Sequence, residues 1–262
     1  MDLGLYGKKA LVTGSTAGIG LAIARALYEE GADVVINGRT QPAVDKALAQ
    51  FMSGAGKASG VAADLATEAG AQELSARVPS LDVLVNNLGI FEPKPFAEIS
   101  DDDWRRFFDA NVLSGVRLSR RYLPQMLAQN WGRIIFISSE SAVQIPAEMI
   151  HYGTTKTAQL AVARGLAEMT VGTAVTVNSV LPGPTRSEGV ETFVEDMAKH
   201  QGKTKAEVEK EFFENVRPSS LLKRFATTDE VAAMVAFVAG VKSSATNGAA
   251  LRVDGGVIRS IL

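Results

Sequence analysis

Ala10-Leu11-Val12-Thr13-Gly14-Ser15-Thr16-Ala17-Gly18-Ile19-Gly20 is the stretch whose reading decides the fold. Three apolar residues run into Thr13-Gly14, a loop of small residues carries Gly14, Gly18 and Gly20, and residues 21–30 supply helix formers closed by Gly31. The order is strand, tight turn, helix, stop. Asp33-Val34-Val35-Ile36 follows at once as a second apolar strand, so a βαβ unit fits within the first ~40 residues. Working outward, strand-like runs recur at 58–63, 83–85, 133–137 and 174–180, with helix-like segments between them. Runs such as 81–85 and 134–137 are apolar on both faces, which suits a parallel sheet covered by helices on each side. The fold class is therefore α/β, doubly wound.

The 262 residues amount to one large domain or two small ones, and no linker or internal repeat divides them, so 1–262 is read as a single domain. Lys plus Arg is 27 against 29 Asp plus Glu, a net charge of −2 that lacks the basic excess of a nucleic-acid binder. The absence of cysteine removes disulfides, thiolate metal sites and a cysteine nucleophile together, and with His151 and His200 as the two histidines no metal site is expected. The longest apolar run, 231–241, falls short of the ~18–20 residues of a membrane span. With no secretory pattern at the N-terminus, a soluble cytoplasmic protein is expected. Helix starts are marked by three capping boxes, Ser100 to Asp103, Thr204 to Glu207 and Thr227 to Glu230. The charged stretch 188–216 reads as exposed helices inserted between core elements.

Placed between a strand and a helix, the three glycines permit a tight turn and close approach of backbone to a pyrophosphate, while the helix offers free N–H groups and its positive end to the anion. The spacing is Gly-x3-Gly-x-Gly. The second strand ends at Asn37-Gly38-Arg39, near where dinucleotide folds read the adenosine ribose. An acid there favours NAD, whereas the planar fork of Arg39 matches the 2′-phosphate of NADP, so NADP is preferred with NAD possible. A solvated arginine at a strand end is the competing explanation.

Tyr152 and Lys156 lie four apart in a helix-like segment and so share a face. A phenol with a reference pKa of about 10 works as a proton donor or acceptor near neutrality only if a cation stabilises its anion, and Lys156 is placed to do so. Ser139 lies thirteen positions before Tyr152, close enough for a loop to return it beside the phenol, where its hydroxyl can hold a substrate oxygen. A serine capping a turn explains it equally well. Asn111 sits in a helical segment where a polar residue is simply tolerated.

In combination these residues resemble the short-chain dehydrogenase/reductase family. The 13–20 loop, Asp64-Leu65, Asn86-Asn87-Leu88-Gly89, Asn111, Ser139, Tyr152-x3-Lys156, Pro182-Gly183 and Val253-Asp254-Gly255-Gly256 fall in family order over nearly the whole chain. The resemblance implies a single Rossmann-like domain with about seven parallel strands and hydride transfer between a nicotinamide cofactor and a ketone or secondary alcohol. Tyr152 is then the general acid/base. Lys156 lowers its pKa and binds the nicotinamide ribose, Ser139 positions the substrate oxygen, and Asn111 sustains a water-linked relay to Lys156. The expected cofactor contacts are Gly14, Ser15, Thr16, Gly18, Ile19, Gly20, Arg39, Asp64, Leu65, Asn87, Gly89, Tyr152, Lys156, Pro182, Gly183 and Thr185. Leu88 departs from the family's usual alanine and alters packing beside the cofactor. Substrates of the 3-oxoacyl-carrier-protein reductase or polyol and sugar dehydrogenase kind fit this pattern. A non-catalytic dinucleotide-binding sensor or scaffold is the alternative, against which the presence of Ser139, Tyr152 and Lys156 argues.

The loop 140–151 lies between the catalytic Ser and Tyr, so its side chains are expected near the reacting carbon. Gln144 or Glu148 is expected to hydrogen-bond a polar substrate and Ile145 and Met149 to pack on its carbon skeleton, alongside Ser139 and Tyr152. Solvation of Glu140 and Glu148 as loop charges is the plainer explanation. The 184–222 segment, variable in the family, is expected to cover the substrate. The family also implies a homotetramer, which the apolar 231–241 and C-terminal stretches fit, although a monomer can bury both.

Overall fold

In the computed structural model, which describes residues 1–52 and 54–261, alternation within the strands explains why both faces of the sheet are covered. Leu11 and Val12, Leu84 and Val85, and Ile134 and Ile135 are neighbours in sequence whose side chains point to opposite faces, and all are fully buried. Val12, Val85, Ile135 and Val180 face Ile23, Leu27, Val231 and Val235. Leu11, Leu84, Ile134, Phe136 and Val177 face Leu74, Leu118, Tyr122 and Met126. Burial of each such side chain is worth about 1.5–3 kcal/mol, so no strand of this kind is stable with one face left open.

The strands are β1 (Lys9–Val12), β2 (Asp33–Gly38), β3 (Ala58–Ala62), β4 (Val83–Asn86), β5 (Gly132–Ile137) and β6 (Val175–Pro182), completed by the C-terminal Ala250–Val253. Among the described residues they form a seven-stranded parallel sheet in the order β3-β2-β1-β4-β5-β6, with Ala250–Val253 at the far edge. The chain reverses direction across the sheet between β1 and β4, which leaves a crevice beyond their carboxyl ends. Helix α1 (Gly18–Glu29) packs on Thr228–Ala239 on one face, with α2 (Gln41–Leu48) beside β2 and β3. Helices α3 (Glu68–Arg77), α5 (Ser114–Ala128) and α6 (Ile150–Glu168) cover the other face, and α4 (Asp101–Phe108) leads into α5. All three expected capping boxes form, at Ser100, Thr204 and Thr227. No helix among the described residues is long and apolar enough to cross a membrane.

The charged stretch folds as expected into helices, α7 (Glu188–Gln201) and α8 (Lys205–Glu211), but these carry a core of their own. Val194, Ala198, Val208, Phe213 and Phe225 are buried together. Outside it, Arg186 pairs with Glu191 and Glu209, and Lys205 with Glu191 and Glu195. A short parallel ladder of β7 (Thr185–Arg186) with β8 (Ala226–Thr227) joins the two ends of this segment, a pairing the sequence pattern did not suggest. Helix α9 (Thr228–Ala239) and β9 (Ala250–Val253) end the fold. Val231, Val235, Val257 and Ile258 are buried within the chain itself, whereas Phe237, Val241 and Ile261 of the same stretches are exposed.

His151 opens α6 with its ring 4.0 Å from that of Phe107 and packed edge-on to Trp104. It is fully buried, and neither ring nitrogen has a hydrogen-bond partner. Burial pushes its pKa below the ordinary value, with Asp103 pulling weakly the other way. The folded state therefore binds this proton less tightly than the unfolded chain, and stability is lost as pH falls below the unfolded value of about 6.5. His151→Phe is expected to flatten the decline of Tm between pH 7 and 5, measured by thermal unfolding of both proteins across that range.

Candidate active site

The glycine loop is held open by side chains from three strands. Gly14 and Gly18 adopt left-handed backbone, φ +59° and +56°, which side-chain-bearing residues rarely take. Gly20 is required for a different reason: a Cβ there would lie 2.4 Å from Asn87 Nδ2 and 2.5 Å from the Gly14 carbonyl oxygen. Asn87 Nδ2 donates to the carbonyls of Thr13 (2.9 Å) and Gly14 (3.0 Å). Thr13 Oγ1 in turn accepts from the backbone N–H groups of Asn87 and Leu88, both at 2.9 Å, tying the end of β1 to the end of β4 across the crevice. Buried Asn37 takes the Gly14 N–H on its Oδ1 (3.2 Å) and donates to the Val61 and Ala63 carbonyls. Sequence reasoning missed the structural roles of Thr13 and Asn37. A polar residue at the last turn of an otherwise apolar strand was the available signal.

This cradle fits a dinucleotide. The loop is followed by twelve residues of helix whose N-terminal backbone carries no side-chain cap, leaving N–H groups for an anion. Thr16, Gly18 and Ile19 remain partly accessible there, but Ser15 turns inward, its hydroxyl donating to the Val12 carbonyl at 2.6 Å. Its side chain thus serves the loop rather than a ligand. Arg39 is exposed just beyond β2. Asp64 is also exposed, while Leu65 is buried beneath it. Pro182 ends β6, and Gly183 and Thr185 follow it at the same end of the sheet, with Thr185 Oγ1 donating to the Gly183 carbonyl.

Next to the crevice, β5 and α6 bring the candidate catalytic groups together. Ser138 Oγ donates to the Lys156 carbonyl (2.9 Å), which pins α6 to the end of β5. Tyr152 and Lys156 share a helix face as the spacing requires, with Lys156 Nζ 5.6 Å from the phenol ring centroid. Burial pushes the Tyr152 phenol up to about 12, with the Ser139 hydroxyl and Arg217 acting to lower it and Glu140 to raise it. Burial likewise pushes Lys156 down to about 8. Gly89 is the neighbour that permits this: a Cβ there would stand 3.2 Å from Lys156 Nζ and 3.6 Å from Asn111 Oδ1.

Asn111 is not on a regular helix. It sits in a π-helical turn, Asp109–Leu113, inserted between α4 and α5, a device that re-aims side chains and recurs at functional sites. Its side chain clamps Ile90, accepting from the Ile90 N–H (2.8 Å) and donating to its carbonyl (3.0 Å), and it also donates to Thr155 Oγ1. Asn111 is also linked to Lys156 through a side chain. Buried Gln159 accepts from Lys156 Nζ on Oε1 (3.3 Å) and donates through Nε2 to the Asn111 carbonyl (2.5 Å), so a side chain makes the link. Lys156 Nζ also donates to the Ile137 carbonyl at 2.9 Å. Gln159 was not singled out from sequence, because a glutamine three residues after a lysine on a helix carries no distinctive pattern.

The loop between Ser139 and Tyr152 corrects one expectation. Glu140 is not a solvated charge: it is 5% exposed. Its Oε2 accepts from Ser139 Oγ (2.5 Å), Ser141 Oγ (2.8 Å) and the Ser141 N–H (2.6 Å), and its Oε1 accepts from Arg217 Nε at 2.9 Å. Arg217 comes from the 184–222 segment and reaches Glu148 through Nη1 at 3.3 Å. Sequence alone does not pair residues 77 apart. Gln144 is exposed, with a long contact to Ser219 Oγ (3.5 Å), and Ile145 lies against Gly153, one residue past the phenol.

Comparison with known proteins agrees with this arrangement. Residues 8–198 match the family model for short chain dehydrogenase. The chain is 49% identical over 263 residues to the uncharacterized oxidoreductase YvaG of Bacillus subtilis, covering 100% of both chains. It is 32% identical to the 3-oxoacyl-[acyl-carrier-protein] reductase FabG of Aquifex aeolicus, covering 98% of this chain and 100% of that one. Among solved structures, L-sorbose reductase from Gluconobacter frateurii, determined in complex with NADPH and L-sorbose, superimposes with a TM-score of 0.93 at 29% identity and 100% coverage of both chains. With a parallel seven-stranded sheet, a glycine loop at its switch point and a matched family model, the chain belongs to the short-chain dehydrogenase/reductase family, NAD(P)-dependent oxidoreductases acting on CH–OH and C=O groups.

Proposed function

We propose an NADP-preferring reductase or dehydrogenase in which Tyr152 exchanges a proton with the oxygen of a ketone or secondary alcohol. The observation that carries this reading is the convergence of Ser139, Tyr152 and Lys156 at the carboxyl ends of β5 and α6's first turns, beside the glycine cradle. The dinucleotide, when bound, supplies or accepts the hydride. Everything else falls to the chain. Gly14, Gly18 and Gly20 let the backbone approach the pyrophosphate, Asn87 holds that backbone in place, and Tyr152 holds the substrate oxygen together with Ser139 once its hydroxyl turns from Glu140. A phenol raised to about 12 stays protonated at neutral pH and serves as the proton source for carbonyl reduction. Lys156 stabilises the phenolate left behind, and Gln159 keeps its ammonium in position through the Asn111 carbonyl. The cover formed by residues 184–222 excludes water from the transfer.

The NADP preference rests on Arg39, exposed at the end of β2 with no acidic residue at that position. A charge-assisted pair of an arginine with a 2′-phosphate is worth about 1.5–3 kcal/mol, or roughly 10- to 100-fold in an equilibrium. Absorbance assays with NADPH and NADH against ketones, keto sugars and ketoacyl thioesters test both parts. Wild-type protein is expected to favour NADPH, and Arg39→Ser to lose about 10- to 100-fold in kcat/KM with NADPH while retaining its rate with NADH. Equal use of both cofactors by wild type and variant overturns the preference.

A further inference from the structure

A cavity of about 710 Å³ lies between the loop 218–223 and the C-terminal stretch 252–259. Arg252 stands on β9 at one edge of the sheet, whereas Arg39 and the end of β2 lie toward the other, so this cavity is separate from the cradle proposed for the dinucleotide. Its charged lining is Lys223, Arg252, Arg259 and Asp254, three cations against one carboxylate. Asp254 turns both oxygens to its own loop, Oδ1 accepting from the Gly256 N–H (3.1 Å) and Oδ2 from the Ile258 N–H (2.9 Å). None of the three cations has a carboxylate partner among the described residues. Lys223 Nζ donates to the carbonyls of Phe213 and Pro218, Arg252 Nη1 donates to that of Ser260, and Arg259 makes no hydrogen bond or ion pair there. The acids that border a neighbouring hollow with Lys223, Glu209 and Glu214, are paired with Arg186 and Lys210.

We infer that this cavity is a binding site for a phosphate group. The cationic excess matches a dianion, and two guanidinium forks suit the oxygens of a phosphate. The loop that presents Lys223 is fixed in advance. The Leu221 and Leu222 N–H groups both donate to the Gly255 carbonyl (2.8 and 3.0 Å), and the Lys223 N–H donates to Ser220 Oγ at 3.1 Å. Lys223 is thereby held in left-handed backbone, φ +53°, a conformation that costs a side-chain-bearing residue energy and that recurs at ligand clamps. Ser220 is 2% exposed, lines the cavity, and gives its hydroxyl proton to no described group, which leaves a buried donor for an oxyanion. The cavity also borders the candidate active site. Ser219 Oγ donates to the Val257 carbonyl (2.7 Å) and lies 3.5 Å from Gln144 Nε2, on the loop between Ser139 and Tyr152. The phosphate is therefore either a free ion or the far end of the substrate itself.

Isothermal titration calorimetry with inorganic phosphate, on protein whose dinucleotide cradle is filled by saturating NADP, tests the site. Wild type is expected to bind phosphate saturably, and more weakly as chloride is raised. The double variant Arg252→Gln with Arg259→Gln is expected to weaken binding about tenfold or more, and Arg259→Gln alone, which breaks no described contact, to weaken it in part. Arg77→Gln, which removes an exposed charge from α3, is expected to leave it unchanged. No saturable binding by wild type, or equal binding by wild type and the double variant, overturns the inference. Turnover of dihydroxyacetone phosphate and of dihydroxyacetone with NADPH distinguishes the sources. A KM about tenfold lower for the phosphorylated ketone, lost in the double variant, identifies the phosphate as part of the substrate, and equal KM values with phosphate still bound identify a free ion. Phosphate binding that depends on the two arginines, without turnover of either ketone, leaves the site standing and counts against the proposed chemistry instead.

Discussion

Tyr152→Phe is expected to lower kcat for carbonyl reduction by about 10²- to 10⁴-fold, the usual contribution of a positioned general acid, while the dinucleotide still binds. The variant removes one oxygen and little else. The ring keeps its edge contact with Phe91 at 6.4 Å and its place over Lys156, so packing of the first turn of α6 is preserved. The proton is what disappears, because a phenol held at about 12 is protonated at neutral pH and phenylalanine has none to give. Single-turnover reduction with NADPH already bound separates this loss from slow product release. An unchanged circular dichroism spectrum and unchanged NADPH affinity locate the defect in proton transfer. Retention of more than a tenth of the wild-type rate would assign the proton to another group.

Lys156→Met is expected to abolish most turnover and yet raise Tm by a few degrees. The two effects share one cause. A lysine whose folded pKa lies near 8 binds its proton less tightly than the unfolded chain does near 10.5, so carrying the charge weakens the fold. The sign runs against the usual lysine. The penalty is complete below about pH 8 and relieved as pH rises toward 10.5, and methionine removes it at neutral pH on the order of 3 kcal/mol, part of which is returned when the Ile137 carbonyl and Gln159 lose their donor. Function requires that same charge, since Lys156 is the cation on the helix face of Tyr152, with Arg217 adding to its effect on the phenolate. In wild type, kcat/KM for reduction should fall as pH rises through about 8 and Lys156 loses its proton, a limb absent from the variant. Thermal unfolding and pH profiles of both proteins check the pair of effects, and a variant less stable than wild type at pH 7 would show that the hydrogen bonds of Lys156 outweigh its desolvation.

The 184–222 segment shows where pattern and structure part company. The start of α8 was legible because Thr204 and Glu207, like Thr227 and Glu230 at the start of α9, act within four residues of each other. The segment's attachment to the site was not, since Arg217 meets Glu140 across 77 positions and a charged residue in a loop is solvated in most proteins. Glu140 accordingly changed from a loop charge to a buried carboxylate holding Ser139. Ser15 changed in the opposite sense, from a ligand contact to an internal brace, because a hydroxyl in a tight turn can bond either outward or to the carbonyl three residues back, and only coordinates tell which.

By itself the sequence determined the α/β class, six of the seven strands of the main sheet and their order along the chain, the glycine cradle and the Tyr152–Lys156 pair. These depend on local rules: two-residue alternation, the four-residue face of a helix, the need of a left-handed turn for glycine. Tertiary structure alone decided what lies between those features. The clamp of Thr13 and Asn37 on the loop, the bond of Asn111 to Thr155, the bond of Gln159 to the Asn111 carbonyl and the Glu140–Arg217–Glu148 charge set all join residues distant in sequence. Their energies come from burial, where an unpaired polar group is costly and each partner must be found in three dimensions, and a one-dimensional pattern carries no record of which partner that is.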